Sequence, residues 1–417
     1  MKRRAFLRLA AAAAGSLAGC ASTRPAKGRV VVLGGGFGGA TAAKYIRLRD
    51  PSIDVVLVER EASFVSCPVS DLVLAGYRGM EDITRGYEGL RRHGVRLVRD
   101  EALAVDPERK AVRLARGGEL SYQRLVVAPG VDFLLGELAG YDAAMRSGRV
   151  LHAWKAGEQT VALRRQLEQM RDGGVFVLSI PLAPYRCLPG PYERASLVAA
   201  YLKRAKPRCK VLVLDANPDL TSMAALFRRA WAELYPGLIE YQPNATAVGV
   251  DADSMTLKLE LEDVKGDVLN VIPPQRAGDL AAAAGLITTN RRWCDVDWRT
   301  MESKAVKDVH VLGDATLSAA AMPKSAGMAS GHAKIAAAAI VETMNGRTPE
   351  PMKILSTCYS YVSETEAVRV SSAHEWDAAQ ATLNPVKGAG RVSTARSEAE
   401  GRDAWGWATT IWADALG

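Results

Sequence analysis

Short apolar segments rich in valine, leucine and isoleucine alternate with helical patterns along most of the chain. "RVVVLGGGFGGATAAKYIRL" at residues 29–48 has the pattern of a strand, a glycine turn and a helix that begins with small residues. "IDVVLVER" at 53–60, "YQRLVVAPG" at 122–130 and "VHVLGDAT" at 309–316 have the pattern of further buried strands. This alternation of strands and helices predicts an α/β fold.

A second unit of the same kind is predicted in the middle of the chain. "AGEQTVALRRQLEQM" at 156–170 has the period of an amphipathic helix, "GGVFVLSI" at 173–180 is a strand, and "RCKVLVLDANPDL" contains a strand that ends at Asp215. The turn after Ile180, "PLAPYRCLPGPYE", is rich in proline, which has no backbone donor. A turn so poor in glycine and donors is not expected to bind a nicotinamide dinucleotide.

The glycine turn near the front fits the pattern G-x-G-x-x-G at Gly34, Gly36 and Gly39. The first glycine allows the tight turn, the second lets the backbone approach a pyrophosphate, and the third lets the helix pack closely on the strand. Glu59 ends the second strand, where an acid receives the ribose hydroxyls. A glycine loop without a ligand is the alternative, but strand, helix and acid in this order favour a dinucleotide site.

Two later segments favour FAD over NAD as the dinucleotide. One strand ends at Gly130, and another ends at Gly313 and Asp314. These segments resemble the later fingerprints of the FAD-dependent disulfide-reductase superfamily, in which the acid of the last motif holds the flavin ribitol. Because the three motifs occur in the expected order, FAD is the predicted cofactor.

From about residue 28 onward the chain resembles the flavoprotein subunit of flavocytochrome c sulfide dehydrogenase. The resemblance is carried by "HAWKAGEQT", "YRCLPGPYERAS", "NVIPPQRAG", "WCDVD", "MPKSA" and "STCYS". It implies a glutathione-reductase-like architecture of two interleaved Rossmann-like domains plus a smaller C-terminal domain. The expected FAD-binding domain takes 28–145 and 270–345, the inserted domain lacking an NAD fingerprint takes 146–269, and the C-terminal domain takes 346–417.

The resemblance also implies roles for three residues in sulfide chemistry. Cys187 and Cys358 match the family's redox-active disulfide at the flavin, and two unrelated buried cysteines are the alternative. Glu193 matches an acid at the active site. Its alternative is a carboxylate in the first turn of a helix, where the helix dipole favours negative charge.

Two further residues are expected at the flavin. Cys67 matches the cysteine that the family bonds to the flavin 8α position, although Pro68 and the pair Ser70-Asp71 depart from the usual surroundings. Noncovalent FAD or a structural thiol are the alternatives. Lys324 is expected to favour the reduced anionic flavin, and a surface lysine is the alternative. Cys209 and Cys294 are expected to be structural.

The N-terminal residues 1–27 are expected to be an export signal and linker. "RRAFLR" at 3–8 resembles a twin-arginine signal, and "LAGC" at 17–20 resembles a lipobox that would place a lipid on Cys20. Ordinary signal-peptidase cleavage near Ala21 is the alternative. The mature protein is therefore expected in the periplasm, either soluble or lipid-anchored.

Composition limits the partners. The formal net charge is +8, part of it in the leader, and no cluster of basic and aromatic residues indicates a nucleic-acid partner. With no C-x-x-C pair and five histidines, no metal site is expected. The chain also has no C-x-x-C-H motif, so haem would belong to a separate c-type cytochrome. The C-terminal "DAWGWATTIWADALG" lacks the basic amphipathic pattern of a membrane-docking helix.

These features predict an exported FAD enzyme that oxidises sulfide or polysulfide through a disulfide and the flavin and passes electrons to a c-type cytochrome. A sulfide:quinone oxidoreductase anchored through Cys20 is the first alternative. A noncatalytic flavin-bearing sulfur-carrier or assembly subunit is the second. An NAD(P)H-dependent disulfide reductase is disfavoured by the proline-rich second turn.

Overall fold

The computed structural model describes residues 27–417 of the chain. The predicted twin-arginine pattern and Cys20 lie outside the described residues, so the export signal and the lipid anchor stay predictions. Among residues 27–417, no helix is both long enough and apolar enough to cross a membrane.

The strands are numbered in chain order. They are β1 (Arg29–Leu33), β2 (Asp54–Val58), β3 (Phe64–Val65), β4 (Thr84–Arg85), β5 (Arg96–Val98), β6 (Ala102–Asp106), β7 (Ala111–Leu114), β8 (Glu119–Ser121), β9 (Arg124–Val127), β10 (Val131–Phe133), β11 (Val175–Ile180), β12 (Lys210–Asp215), β13 (Ile239–Gln242), β14 (Ala247–Asp251), β15 (Thr256–Leu259), β16 (Asp263–Lys265), β17 (Val268–Val271), β18 (Gln275–Ala277), β19 (Val296–Asp297), β20 (Glu302–Ser303), β21 (Val309–Val311), β22 (Ile354–Tyr361), β23 (Ala367–Asp377), β24 (Thr382–Pro385) and β25 (Arg391–Val392).

The α-helices are numbered in the same way. They are α1 (Phe37–Arg49), α2 (Asp71–Leu74), α3 (Met80–Ile83), α4 (Glu88–Arg92), α5 (Tyr141–Arg146), α6 (Glu158–Gln169), α7 (Gly190–Ala205), α8 (Ala224–Leu234), α9 (Asp279–Ala283), α10 (Ala326–Met344) and α11 (Glu398–Leu416), and two short 3-10 helices cover Leu135–Glu137 and Gly313–Ala315.

The first unit is built on a seven-stranded sheet in the order β19-β20-β21-β9-β1-β2-β5. The five strands from β21 to β5 are parallel, and β20 and β19 continue the sheet antiparallel. Val30, Val31 and Val32 of β1 are fully buried. Burial of a parallel sheet on both faces explains why its strands are apolar without alternation. The glycine turn follows β1 directly and leads into α1, which packs against α10 and α11.

The second unit is a four-stranded parallel sheet in the order β13-β12-β11-β17. Its strands come from residues between the two halves of the first sheet, so the second unit is inserted in the first. Strands β11 and β12 end at Ile180 and Asp215, as the sequence predicts. The long helix α7 follows β11 and carries Glu193.

The C-terminal unit is an antiparallel sheet in the order β22-β23-β24, with β25 also paired to β23, followed by α11. Helix α10 packs against β22. The predicted fold class is therefore confirmed: two interleaved α/β units and a smaller C-terminal unit. The described residues also form four small antiparallel sheets, namely β3-β4, β6-β7-β8, β10-β18 and β14-β15-β16.

Candidate active site

The glycine turn after β1 has the shape of a dinucleotide cradle. A side chain on Gly34, which has φ of 97°, would place its Cβ 2.5 Å from the carbonyl oxygen of Ala128. A Cβ on Gly39 would lie 1.8 Å from the carbonyl oxygen of Gly34, so only glycine lets α1 pack this close. A Cβ on Gly36 would meet nothing within 4 Å. The space over Gly36 is thus open where a pyrophosphate would approach the start of α1.

Glu59 lies against this turn at the end of β2. One carboxylate oxygen accepts a 2.6 Å hydrogen bond from the Gly35 N–H, and the other accepts one of 2.9 Å from the Glu61 N–H. Glu59 is half-buried, which leaves part of the carboxylate accessible. The position suits an acid that receives ribose hydroxyls at the end of the second strand.

The third predicted motif lies at the carboxyl end of the same sheet. Gly313 has φ of 68°, and its N–H donates to His332 Nδ1 at 3.2 Å. Asp314 follows, and its Oδ1 is buried without a hydrogen-bond partner among the described residues. A buried carboxylate oxygen without a donor is costly, so the site lacks one donor group. A ribitol hydroxyl of FAD is a donor of this kind, and the described residues therefore fit the flavin. Gly130, also at a positive φ of 67°, follows three residues after β9, the strand that pairs with β1.

Lys324 is a buried residue whose side chain is hydrogen-bonded to the turn of this motif. Its Nζ donates to the backbone carbonyls of Asp314, at 3.0 Å, and Thr316, and it lies 3.8 Å from the centre of the Trp293 ring. Only 5% of its surface is exposed, so the surface-lysine alternative is wrong. Desolvation lowers the pKa of Lys324 to about 8, although the Asp314 charge opposes this.

Cys187 and Cys358 come together from different units. Cys187 lies in the loop between β11 and α7, and its N–H donates to the Lys324 carbonyl at 2.9 Å. Cys358 lies in β22, the strand that packs against α7 and α10. Desolvation raises the pKa of Cys187, and the neighbouring Cys358 and Glu193 raise it further. Both cysteines are free thiols in the structure, so the disulfide between them stays a prediction.

Glu193 lies beside these thiols in the first turn of α7. It is 8% exposed, and its Oε1 accepts a 3.1 Å hydrogen bond from the Tyr361 N–H at the end of β22. Desolvation and the nearby Asp71 charge raise the pKa of Glu193 to about 8. A carboxylate placed only to match the helix dipole would have a lowered pKa. The raised pKa favours a carboxyl group that can exchange a proton near neutral pH.

Cys67 lies in the loop between β3 and α2. Its Sγ accepts a 3.4 Å hydrogen bond from the Ala156 N–H, and the side chain is half-buried. Desolvation acts to lower the pKa of Arg186, but the charges of Cys67, Asp314 and Cys187 raise it, so these three groups lie within electrostatic reach of one guanidinium. The thioether to the flavin stays a prediction.

Arg186 is a site residue that the sequence interpretation missed. Its guanidinium donates to the Trp154 carbonyl, and the Trp154 indole N–H donates back to the Arg186 carbonyl at 3.2 Å. The Arg186 N–H donates to Gln275 at 2.9 Å. The signal was its position directly before Cys187 in "YRC", but the sequence does not show which way the side chain turns.

A buried ion pair between Arg194 and Asp71 was also missed. Arg194 Nε donates to Asp71 Oδ1 at 2.9 Å, and both side chains are almost fully buried. The two residues belong to "YRCLPGPYERAS" and "SCPVSD", the segments that also contain Cys187 and Cys67. The pair therefore ties the Cys67 loop to the helix of Glu193.

Cys209 and Cys294 lie outside this group of thiols. Cys209 is buried, and its Sγ donates to the Arg171 carbonyl at 3.2 Å. Cys294 is buried beside Trp293, and desolvation raises its pKa to about 12. Both environments suit inert structural thiols.

Asp215, the acid that ends the second strand of the inserted unit, has its carboxylate oxygens hydrogen-bonded by other protein groups. Asp215 accepts hydrogen bonds from the hydroxyls of Tyr192, at 2.8 Å, and Tyr241, at 3.1 Å, and from both nitrogens of Asn217. Asp215 is fully buried. In a nucleotide-binding unit this acid would face a ribose. Its internal hydrogen bonds argue against a nicotinamide dinucleotide at this position.

Three family models match the chain in sequence. Residues 160–273 match the central part of the sulfide dehydrogenase [flavocytochrome c] flavoprotein chain. Residues 350–416 match the flavin-binding part of flavocytochrome c sulphide dehydrogenase. Residues 28–168 match the pyridine nucleotide-disulphide oxidoreductases. The segments that carry Cys187, Glu193 and Cys358 lie within the first two matches.

Individual relatives agree with these models. The sulfide dehydrogenase [flavocytochrome c] flavoprotein chain of Chlorobaculum thiosulfatiphilum is 64% identical over 45 residues, which are 11% of this chain and 94% of that one. The mitochondrial sulfide:quinone oxidoreductase of Mus musculus is 25% identical over 329 residues, 75% of this chain and 71% of that one. The solved sulfide:quinone oxidoreductase of Aquifex aeolicus shares the fold with a TM-score of 0.75 and 18% identity, over 93% of this chain and 91% of that one.

Proposed function

Because the chain belongs to the flavocytochrome c sulfide dehydrogenase flavoprotein family, we propose that it carries FAD and oxidises sulfide at Cys187 and Cys358. One observation supports this proposal above the others. The Cys187 loop is hydrogen-bonded to Lys324, whose side chain binds the Asp314 turn, and Glu193 is hydrogen-bonded to the strand of Cys358. The unpaired oxygen of Asp314 fits a flavin. A thiol pair next to a flavin site is the arrangement that two-electron sulfur oxidation needs.

The proposed chemistry begins with the disulfide form of Cys187 and Cys358. Hydrosulfide attacks one sulfur, so the cysteine–cysteine bond breaks and a persulfide bond forms, while the other cysteine leaves as a thiolate. A second hydrosulfide then attacks the outer sulfur and releases a hydrogen disulfide anion, which leaves two reduced cysteines. Closing the disulfide again removes two electrons, and bound FAD supplies the two-electron acceptor.

The protein groups around the thiols serve this exchange. Glu193, with a pKa raised to about 8, can give a proton to a leaving thiolate and recover it later. Desolvation raises the pKa of Cys187, and the positive charge of Arg186 partly offsets that rise. Lys324 holds the Asp314 turn in place for the flavin ribitol.

We assign a separate c-type cytochrome as the electron acceptor within this proposal. The support is the name of the family and the lack of a C-x-x-C-H haem motif in the printed chain. The likeness to sulfide:quinone oxidoreductases in sequence and fold favours a quinone as the second candidate acceptor. A periplasmic location reached through a twin-arginine signal is also proposed, on the pattern of residues 3–8.

Steady-state assays of the purified protein with sulfide test these assignments. Reduction of cytochrome c, with no reduction of a ubiquinone analogue, is the expected result. Reduction of the quinone analogue alone would show that a quinone, and not a cytochrome, is the electron acceptor. If sulfide leaves the oxidised flavin absorbance unchanged under anaerobic conditions, the chain is a noncatalytic flavin carrier and the proposed function is wrong.

A further inference from the structure

Two buried carboxyl groups near the thiols lie within electrostatic reach of one buried guanidinium. Asp71, from α2, is hydrogen-bonded to Arg194, which is 3% exposed, and the charges of Asp71 and Arg194 both act on the pKa of Glu193, from α7. A single cation neutralises one carboxylate at most. Like charges held close in a buried site do not both ionise at neutral pH, so one of the two carboxyl groups keeps a proton.

The hydrogen bonds of Arg194 determine which carboxyl group that is. Its Nε donates to Asp71 at 2.9 Å, one terminal nitrogen donates to His152 O and Asn270 Oδ1, and the other donates to Ala153 O. None of these bonds reaches Glu193. Arg194 is thus fixed on Asp71. Desolvation raises the pKa of Asp71, but the charge and the hydrogen bond of Arg194 act against that rise, so Asp71 is the carboxyl group that the cation keeps ionised.

Glu193 has a different set of neighbours. Its hydrogen bond from a backbone group comes from the neutral Tyr361 N–H of β22. Three further groups act on it: the Ser360 hydroxyl, which lowers its pKa, and the Cys187 and Cys358 thiols, both of which become anions when they ionise. Burial, the charge of Asp71 and any thiolate that forms favour the uncharged form of Glu193, whereas the Tyr361 N–H, Arg194 and the Ser360 hydroxyl favour the carboxylate. The first set is the stronger, because the pKa of Glu193 is raised and Arg194 acts from a position already committed to Asp71.

We propose that Asp71 and Arg194 are a positioning pair that makes Glu193 the proton carrier of the site. Asp71 is the permanent anion, and its charge keeps the proton on Glu193 until a thiolate beside it takes that proton. The transfer converts the Glu193 carboxyl and a cysteine thiolate into a carboxylate and a thiol, with no net change in charge. The inference rests on the proposed sulfide function for its purpose, but the protonation of Glu193 is measurable by itself.

Infrared titration of the holoenzyme measures that protonation directly. The carbonyl stretch of a protonated carboxyl group should disappear as pH rises through about 8, and the Glu193→Gln variant should lack this band. Asp71→Asn should move the midpoint to lower pH by about one to three units, because it removes a like charge and frees Arg194. Asp71→Glu, which keeps the charge, should stay close to the wild-type midpoint.

A matched control is Asp142→Asn, which breaks an exposed aspartate–arginine pair with Arg146 and should leave the midpoint unchanged. Asp71→Asn leaves an unpaired buried cation and can fail to fold. The double variant Asp71→Asn with Arg194→Gln removes both charges, and its midpoint should also fall, by less than in the single variant. An unchanged or higher midpoint in whichever of these variants folds would overturn the proposal.

Sulfide-dependent flavin reduction in the same samples separates this inference from the proposed function. If the infrared midpoints move as expected but sulfide reduces no flavin, the positioning pair stands and the sulfide function fails. If sulfide reduces the flavin, the rate of flavin reduction should decline at high pH. In Asp71→Asn this decline should move to lower pH by the same amount as the infrared midpoint. If the variant still oxidises sulfide and its rate declines at the same pH as in wild type, Glu193 is not the proton carrier.

Discussion

The N–H of Cys187 donates a 2.9 Å hydrogen bond to the backbone carbonyl of Lys324. Cys187 has φ of 60°, a left-handed conformation that is unfavourable for residues other than glycine. Lys324 in turn binds the carbonyl of Asp314 through its side chain. One residue therefore joins the cysteine loop of the inserted unit to the acidic turn of the flavin unit, which fixes the thiol relative to the cofactor site.

The pair of Cys187 and Cys358 gives the first prediction. After alkylation of free thiols and digestion without reductant, mass spectrometry should find one peptide in which these two cysteines are linked. Once the protein is unfolded for alkylation, Cys209 and Cys294 should be recovered as alkylated free thiols, because each is a buried structural thiol in the fold. Recovery of Cys187 and Cys358 as free thiols from air-oxidised protein would contradict the disulfide.

Attachment of the flavin to Cys67 gives the second prediction. Acid precipitation of the holoenzyme should leave the yellow flavin in the pellet, since a thioether survives unfolding. In Cys67→Ala the flavin should appear in the supernatant, and Cys209→Ala serves as the control that keeps it in the pellet. Flavin released from the wild-type protein would show that FAD is held without a covalent bond.

The glycine cradle gives the third prediction. Gly36→Ala should fold but lose most of its bound FAD, because the new methyl group enters the open space over the turn without touching protein. Gly39→Ala should not give folded protein, because the Cβ would lie 1.8 Å from the Gly34 carbonyl oxygen. Gly406→Ala, in the exposed middle of α11, is the control and should stabilise the protein by about 0.5–1 kcal/mol.

Full occupancy of FAD in Gly36→Ala would contradict the placement of the cofactor. Flavin absorbance relative to protein absorbance, together with circular dichroism, measures occupancy and folding in the same samples.

The raised pKa of Glu193 gives the fourth prediction, on stability. The folded protein holds a proton on Glu193 up to about pH 8, whereas the unfolded chain loses it near pH 4.5. The folded state thus binds more protons between these pH values, and the contribution of Glu193 to the free energy of unfolding falls as pH rises across this window. Glu193→Gln should gain stability relative to wild type from pH 5 to pH 8, by an amount of the order of a few kcal/mol at most.

Thermal unfolding of wild type and Glu193→Gln across that range measures the difference. A difference in melting temperature that does not change with pH would mean that Glu193 has an ordinary pKa. Glu342→Gln is a suitable control, since Glu342 is held by Arg347 at the surface and its pKa is lowered.

Local patterns predicted the parts of the site that depend on neighbouring residues. The glycine turn, the strand that ends at Asp215, the acidic turn at Asp314 and the proline-rich loop around Cys187 each follow from a few consecutive residues. Their spatial order follows from the parallel sheets, because the carboxyl ends of the strands meet at one edge.

The sequence patterns do not predict the contacts between segments that lie far apart along the chain. Nothing near Arg194 shows that its partner is Asp71, more than a hundred positions earlier, because long-range pairing is determined by packing. For the same reason the sequence does not decide whether Lys324 lies at the flavin or at the surface, because the Trp293 ring that covers its ammonium group comes from another segment. The direction of the Arg186 side chain is also set by Trp154 rather than by its neighbours in sequence.

Anaerobic stopped-flow absorbance after mixing holoenzyme with sulfide tests the central claim most directly. The account predicts rapid loss of the oxidised flavin band in wild type and in Cys209→Ser, and no such loss in Cys187→Ser or Cys358→Ser, each with its FAD still bound. Bleaching at the wild-type rate in either of the last two variants would show that sulfide oxidation does not pass through these sulfurs.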